Sequence, residues 1–141
     1  HSPTMYPDLD NAEIKGESAS GWIDDQKWIE SDFLKIVQQR GKAIIDARGA
    51  SSATSAANAA IDTVKATLSE TPTDDWFSAA VLSDGSYNVP EGLIFGFPLK
   101  SDGNGKVSIV QDLPISDYAQ DKINLTTQEL LDEKQDIEDL L

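Results

Sequence analysis

The sequence has no cysteine, a single histidine and no long run of apolar residues. Without cysteine, disulfide frameworks, thiolate metal sites and cysteine nucleophiles are excluded, and this composition fits a cytoplasmic protein. A membrane-spanning helix needs roughly 18 consecutive apolar residues, so no transmembrane segment is expected. The opening residues, HSPTMYPD, also lack the basic and apolar regions of a signal peptide.

Basic residues are scarce as well, because 11 Lys and Arg stand against 25 Asp and Glu, for a formal net charge of −14. Such a surface would repel nucleic-acid phosphates and anionic membranes, so neither is an expected partner. Excess acidic side chains favour solubility, and adaptation to high salt is a second interpretation. The length of 141 residues and the hydrophobic content of 39% are typical of one globular domain with its own core.

The first half of the chain is predominantly helical by pattern. After a loop with a short strand near residues 12–14, apolar residues recur every three or four positions from Asp24 onward, with a shift near Gly41. Asp24 or Asp25 can cap the start of this helix, and Gly49 is the predicted C-cap.

Two further helices are predicted. One runs through the small residues 50–60 and on to about residue 68, where a segment containing Pro72 breaks it. The other lies at the C-terminus, where Thr126 or Thr127 can act as the N-cap and Glu129 would complete a capping box.

Three strands are predicted between these helices. They are Trp76–Leu82, Leu93–Leu99 and Val107–Val110, and the turn residues 101–105 (SDGNG) favour a hairpin between the last two. Helices grouped apart from antiparallel strands predict an α+β domain, with antiparallel strands packed against long helices.

His1 is the only histidine, and composition alone does not distinguish a structural residue from a catalytic one. Catalysis would need a carboxylate to orient the ring, and many acidic residues could do so. The segment HSPTMYPD, however, resembles the active-site loop of cytosolic-type, NAD-dependent malate dehydrogenases. Four more blocks match that family in the same order: residues 37–45, 47–57, 83–92 and 94–98.

On these five blocks the chain is identified as a member of the lactate/malate dehydrogenase family. The resemblance implies that residues 1–141 are its C-terminal, substrate-binding domain, without the N-terminal Rossmann domain that binds NAD. It also implies a role in the tricarboxylic acid cycle, with (S)-malate and oxaloacetate as substrates. No GxGxxG dinucleotide motif occurs here, so no cofactor-binding residue and no metal ligand is assigned.

The resemblance assigns His1 as the general acid–base catalyst. A neutral imidazole would accept the malate hydroxyl proton while hydride passes to NAD, and the reverse would occur with oxaloacetate. In the family, the aspartate that orients this histidine and the arginines that clamp the substrate lie upstream. Arg40 and Arg48 match structural positions, so the isolated chain is expected to be inactive.

Ser51 and Ser52 are the remaining candidates. The resemblance implies that one of them borders the substrate, whereas the simpler interpretation makes them first-turn residues that satisfy free helix amides. The small residues 50–60 allow another backbone to approach closely, either within the domain or, as the family implies, across a homodimer.

Two other functions stay open at this stage. A lactate dehydrogenase would share the fold and reaction type, and a non-catalytic acidic interaction domain would need no histidine at the start of the loop. The chain also departs from common family residues in three places: Glu70 and Asn88 replace Gly, and Ala79 replaces Met.

Overall fold

The computed structural model describes residues 4–138. In chain order its helices and strands are β1 (Glu13–Ile14), β2 (Glu17–Ser18), α1 (Ala19–Ile23), α2 (Gln26–Trp28), a π-helix (Ile29–Phe33), α3 (Leu34–Arg48), α4 (Ala53–Leu68), β3 (Phe77–Leu82), a 3₁₀ turn (Ser86–Asn88), β4 (Ile94–Ser101), β5 (Val107–Ile109) and α5 (Asp117–Asp136). Helices and antiparallel strands occupy separate stretches, which confirms the predicted α+β class.

The described residues form two units. The first consists of those within residues 1–51 and 113–141, and the second of residues 52–112. The first unit holds the small β1–β2 hairpin and helices α1, α2, α3 and α5, with a core of buried apolar residues from three of its helical segments and the π-helix: Ala19, Ile29, Leu34 and Ala119.

The long helical segment of the first unit begins and ends where the sequence predicted. Asp25 is the N-cap of α2, with its carboxylate accepting from the Trp28 amide (2.9 Å), and Gly49 ends α3 in the left-handed conformation (φ 73°). Helix α3 runs unbroken through Gly41, near which the apolar pattern shifts. A π-helix interrupts the segment nearer its start, and its wider turns bring the rings of Trp28 and Phe33, five residues apart, to 5.4 Å.

The predicted start of the C-terminal helix is wrong. Helix α5 begins at Asp117, and its N-cap is Ser116, whose Oγ accepts from the Ala119 amide (3.2 Å). Thr126 and Thr127 lie inside the helix, so Glu129 takes no part in a capping box. Thr126 is held there by a tertiary contact, because its hydroxyl donates to the carbonyl of Thr4 (3.0 Å).

The neighbouring threonines differ in a way that predicts opposite effects on stability. Thr127 is 8% exposed, and its hydroxyl has no hydrogen-bond partner among the described residues. Thr127→Val should therefore raise the free energy of unfolding by about 1 kcal/mol, because it removes an unsatisfied buried group at nearly constant volume. Thr126→Val should lower it by about 1 kcal/mol through the lost bond to Thr4. Urea unfolding of both variants is the measurement, and equal destabilisation would contradict the prediction.

The second unit is built on the predicted antiparallel meander, with strand order β3-β4-β5. Phe77 pairs with Leu99, Ala79 with Phe97 and Val81 with Phe95. Because alternate residues of a strand share one face, these three pairs lie on the same, inward face of the sheet. Helix α4 contacts β3 and β4. The fully buried side chains of this unit are Val89, Phe97 and Leu99.

The turns of the second unit explain one of the departures from family residues. The resemblance implies a glycine at the position of Asn88, whose backbone is left-handed (φ 61°), a conformation that glycine adopts freely and asparagine tolerates. The turn is closed by the buried Ser83 hydroxyl, which donates to the Val89 carbonyl (2.9 Å), and by the Tyr87 hydroxyl, which donates to that of Val110 (2.6 Å).

Candidate functional site

The segment that follows His1 in the sequence is tied to two helices of the first unit through its backbone. The Thr126 hydroxyl of α5 donates to the Thr4 carbonyl (3.0 Å), and Gln38 of α3 donates from Nε2 to the Met5 carbonyl (2.9 Å). The Thr4 hydroxyl in turn donates to the carboxylate of Glu129. Contacts from both helices therefore fix the course of this loop at successive residues.

Tyr6 continues this anchoring through its ring. It meets the ring of Tyr118 edge-on, with centroids 5.8 Å apart and planes 79° apart. Burial, followed by the charges of Asp8 and Asp10, raises the pKa of Tyr6 well above its ordinary value, and burial followed by the charge of Glu30 raises the pKa of Tyr118. Both phenols stay protonated at neutral pH, so this pair packs the loop and does not supply a base.

An aspartate turn closes the loop. The Asp8 carboxylate accepts from the backbone amide of Asp10 (2.9 Å) and from the Asn11 side chain (2.7 Å). Asn11 also donates to the carbonyl of Pro114 (2.9 Å), in the segment that leads into α5. Aspartate and asparagine favour such turns, because their short polar side chains bond to nearby backbone groups.

Ser51 and Ser52 lie in the connection between α3 and α4. Ser51 is exposed, and Ser52 is half-buried at the N-cap of α4 with extended backbone angles (φ −78°, ψ 97°). The expectation that they are first-turn residues satisfying helix amides is wrong, since α4 begins at Ala53 and, within residues 4–138, the Ser52 side chain makes no capping bond. Its Oγ lies 2.6 Å from the Oγ of Ser55 instead.

The start of α4 is electrostatically suited to a carboxylate. Its first turn contains no acidic side chain, and no cap from Ser52 occupies the amides at this end of the described helix. Free amides and the helix dipole favour negative charge at a helix N-terminus, and the paired hydroxyls of Ser52 and Ser55 add two more polar groups.

The other candidates from the sequence are placed as follows. His1 lies outside the described residues. Arg40 and Arg48 are both exposed on α3, as expected of residues on a helix surface. In residues 4–138, no group of three His, Asp or Glu side chains could hold a metal ion, and no helix has the length and apolar character needed to cross a membrane.

Sequence reasoning missed the residues that anchor the loop. Gln38 stands out in the sequence only as part of a block that matches the family, and the sequence pattern places Thr126 at a helix cap that does not exist. A polar residue one turn into an amphipathic helix carries no sequence signal that it reaches a carbonyl 33 positions away. Two shallow hollows of about 210 and 300 Å³ are lined by other residues, around Trp76 and Trp22 respectively.

Comparison with known proteins shows the family in which this domain occurs. Residues 1–141 match the family model described as lactate/malate dehydrogenase, alpha/beta C-terminal domain. A malate dehydrogenase from Naegleria fowleri is similar over 98% of the chain, with 42% identity and a TM-score of 0.87. A lactate dehydrogenase from Trichomonas vaginalis, solved with NADH and oxamate, is similar over 94%, with 28% identity and a TM-score of 0.82.

A malate dehydrogenase from Plasmodium falciparum shares the fold over 99% of the chain, with a TM-score of 0.81 at 24% identity. The chain spans less than half the length of each of these proteins: 42% of the Naegleria chain, 41% of the Trichomonas chain and 45% of the Plasmodium chain.

Proposed function

The chain belongs to the lactate/malate dehydrogenase family, as its alpha/beta C-terminal domain, and we propose that it is the substrate-binding part of an NAD-dependent malate dehydrogenase. The observation that carries this proposal is the 42% identity with the Naegleria fowleri malate dehydrogenase over 98% of the chain. A cytoplasmic location and a place in the tricarboxylic acid cycle are parts of the same proposal.

The test of this proposal is substrate preference. The full-length protein should oxidise malate with a kcat/KM about 100-fold or more above that for lactate, because a site built to pair with a second carboxylate loses charge-assisted hydrogen bonds when that carboxylate is missing. The similarity to the Trichomonas lactate dehydrogenase makes lactate the second candidate substrate. A higher kcat/KM for lactate would overturn the malate assignment and leave the family membership intact.

We assign the cofactor to an N-terminal domain, because the described residues do not suit it. Dinucleotides bind at a parallel βαβ unit with a glycine-rich turn, and every strand pair of residues 4–138 is antiparallel. The Trichomonas relative was solved with NADH, which supports a nicotinamide as the hydride carrier. The contribution of this chain is then proton transfer and recognition of the substrate carboxylate.

His1 is the proposed proton-transfer residue. A neutral imidazole accepts the hydroxyl proton of malate in one direction, and the imidazolium returns it to the carbonyl oxygen of oxaloacetate in the other. An unperturbed histidine titrates near pH 6.5, so both forms are available near neutrality. The ties at Thr4 and Met5 to α5 and α3 support this role, because a general base must be held at hydrogen-bonding distance from its proton.

Ser52 is our choice for the serine that borders the substrate, in preference to Ser51. It is half-buried at the head of α4, beside backbone amides that can donate to a carboxylate, whereas Ser51 is exposed. A hydroxyl in this place can donate to a substrate oxygen while its neighbour Ser55 keeps it oriented (2.6 Å).

Ser52→Ala should lower kcat/KM for malate by about 10- to 100-fold, since a hydrogen bond to a charged group is worth about 1.5–3 kcal/mol. Steady-state kinetics of the full-length protein measure this, and Ser51→Ala is the matched control, one residue away and expected to stay near the parent value. A larger loss in Ser51→Ala would move the role to that residue.

The homodimer is proposed to use α4. Within residues 4–138 this helix has no buried residue, and an apolar stripe on one face is more than half exposed: Ile61 (53%), Val64 (57%) and Leu68 (60%). Contiguous exposed apolar surface marks an interaction site, and an equivalent patch on a second copy would cover it in a two-fold dimer.

Val64→Lys should therefore raise the dimer dissociation constant of the full-length protein by about tenfold or more, equivalent to about 1.4 kcal/mol. The control is Thr63→Lys, which introduces the same charge at a position about 100° around the helix from Val64. Sedimentation equilibrium of both variants decides the matter. If Val64→Lys stays as dimeric as Thr63→Lys, the interface lies elsewhere.

A further inference from the structure

The hairpin between β4 and β5 contains the only asparagine in the sequence that is followed by glycine. The chain has five asparagines, and the others precede bulkier residues: Asn11, Asn58, Asn88 and Asn124. Asn104 and Gly105 are both exposed at the tip of the hairpin. A side chain built on Gly105 would find no heavy atom within 4 Å apart from those of its chain neighbours, so the tip of the hairpin is not packed against other residues.

The hydrogen bonds of the hairpin leave the backbone nitrogen of Gly105 unoccupied. The Asp102 carboxylate accepts from the amides of Asn104 (2.8 Å) and Lys106 (3.1 Å), on either side of Gly105. These two bonds lower the pKa of Asp102 and keep it ionised. Among residues 4–138, the Gly105 amide between them has no acceptor. The Asn104 side chain is held by one exposed bond, from Nδ2 to the Asp102 carbonyl (3.1 Å).

Two Asp-Gly pairs, at residues 84–85 and 102–103, differ from Asn104-Gly105 because their glycine amides are engaged in hydrogen bonds. The Gly85 amide donates to the Ser83 hydroxyl (3.2 Å), and the Gly103 amide donates to the Ser101 hydroxyl (3.1 Å). The preceding carboxylates are also engaged, Asp84 by Ser86 and Asp102 as described. An amide that already donates to a buried hydroxyl is a poor nucleophile, because attack requires the loss of that bond.

We propose that Asn104 is a site of spontaneous deamidation, with water as the co-reactant. The Gly105 nitrogen loses its proton and attacks Cγ of Asn104. The Cγ–Nδ2 bond breaks, and the nitrogen leaves as ammonia after taking up a proton, so that a five-membered succinimide remains. Water then opens either carbonyl of this ring, which yields aspartate or isoaspartate. No electrons are transferred, and the net change is one water consumed and one ammonia released.

The product alters the hairpin in two ways. A new carboxylate replaces the Nδ2 donor that faces the Asp102 carbonyl, and it adds a negative charge beside the Asp102 carboxylate. Isoaspartate also places an extra methylene in the backbone between the two amides that Asp102 binds. The modified chain is therefore expected to unfold at a lower temperature than the parent.

The experiment is incubation of the intact protein at mildly alkaline pH, followed by peptide mapping with isoaspartate detection. The mass gain that follows from losing ammonia and taking up water should appear in the Asn104 peptide faster than at the other four asparagines together, and the Asn104→Gln variant should lack it. The proposal is overturned if another asparagine reacts first, or if Asn104 reacts only after the protein is unfolded in urea. It is also overturned if Asp84 or Asp102 forms isoaspartate as fast as Asn104.

Discussion

Replacing His1 by Asn in the full-length protein is expected to lower kcat for malate oxidation by about 10²–10⁴-fold, the usual contribution of a general acid–base residue. Asparagine can hydrogen-bond the substrate hydroxyl but cannot take its proton. In the parent protein, kcat/KM for malate should fall as the pH drops through the pKa of His1, because the protonated ring cannot act as a base. That dependence should disappear from the variant.

Binding of NAD provides the control for this variant. The cofactor is proposed to lie on the N-terminal domain, so its dissociation constant, measured by fluorescence titration, should change little in His1→Asn. A loss of activity below about threefold would remove His1 from the acid–base role. That outcome would assign the proton transfer to another residue of the full-length protein.

The largest expected effect on stability comes from Gly103→Ala, which should cost about 2–5 kcal/mol. Gly103 is left-handed (φ +75°), a conformation that costs a residue with a side chain about 1–2 kcal/mol. An added Cβ would also lie 3.0 Å from the backbone nitrogen of Glu70 and 3.3 Å from its Cβ, and such overpacking costs a further 1–3 kcal/mol or so. Neither atom of Glu70 can move easily, because its backbone forms a bridge with Asp102.

Gly105→Ala separates the two contributions. Gly105 is also left-handed (φ +89°), but nothing lies within 4 Å of the position that its Cβ would take. It should cost only the conformational part, about 1–2 kcal/mol. Urea unfolding of the two variants gives the difference, and equal losses would mean that the contact with Glu70 is relieved without strain.

The sequence predicts those features whose cause is local. Asp25 and Gly49 act as caps because a short acceptor and a left-handed residue suit those positions, and the strands follow from alternation and turn residues. The start of α5 could not be predicted in this way. Its cap, Ser116, also donates to the carboxylate of Asp10 (3.1 Å), 106 positions away, and the preference of Thr126 for a cap is overridden by its bond to Thr4.

The same division holds for the candidate site. The identity of His1 and the serines came from a resemblance to family blocks, which is a property of the sequence. The choice between Ser51 and Ser52 depends on where α4 begins, and the anchoring of the segment that follows His1 depends on Gln38 and Thr126. The anchoring is not encoded in spacing, because it arises from contacts between segments that are distant along the chain.

The tie between the Thr4 carbonyl and Thr126 has a consequence for folding during synthesis. The two residues are 122 positions apart, so the bond cannot form until α5 has left the ribosome. Chains elongate at about 5–20 residues per second, which delays this closure by several seconds after the histidine has been made. The anchor at Thr4 is thus among the last contacts of the first unit to form, later than the bond from Gln38 to Met5, and a nascent chain that stops before α5 would lack it.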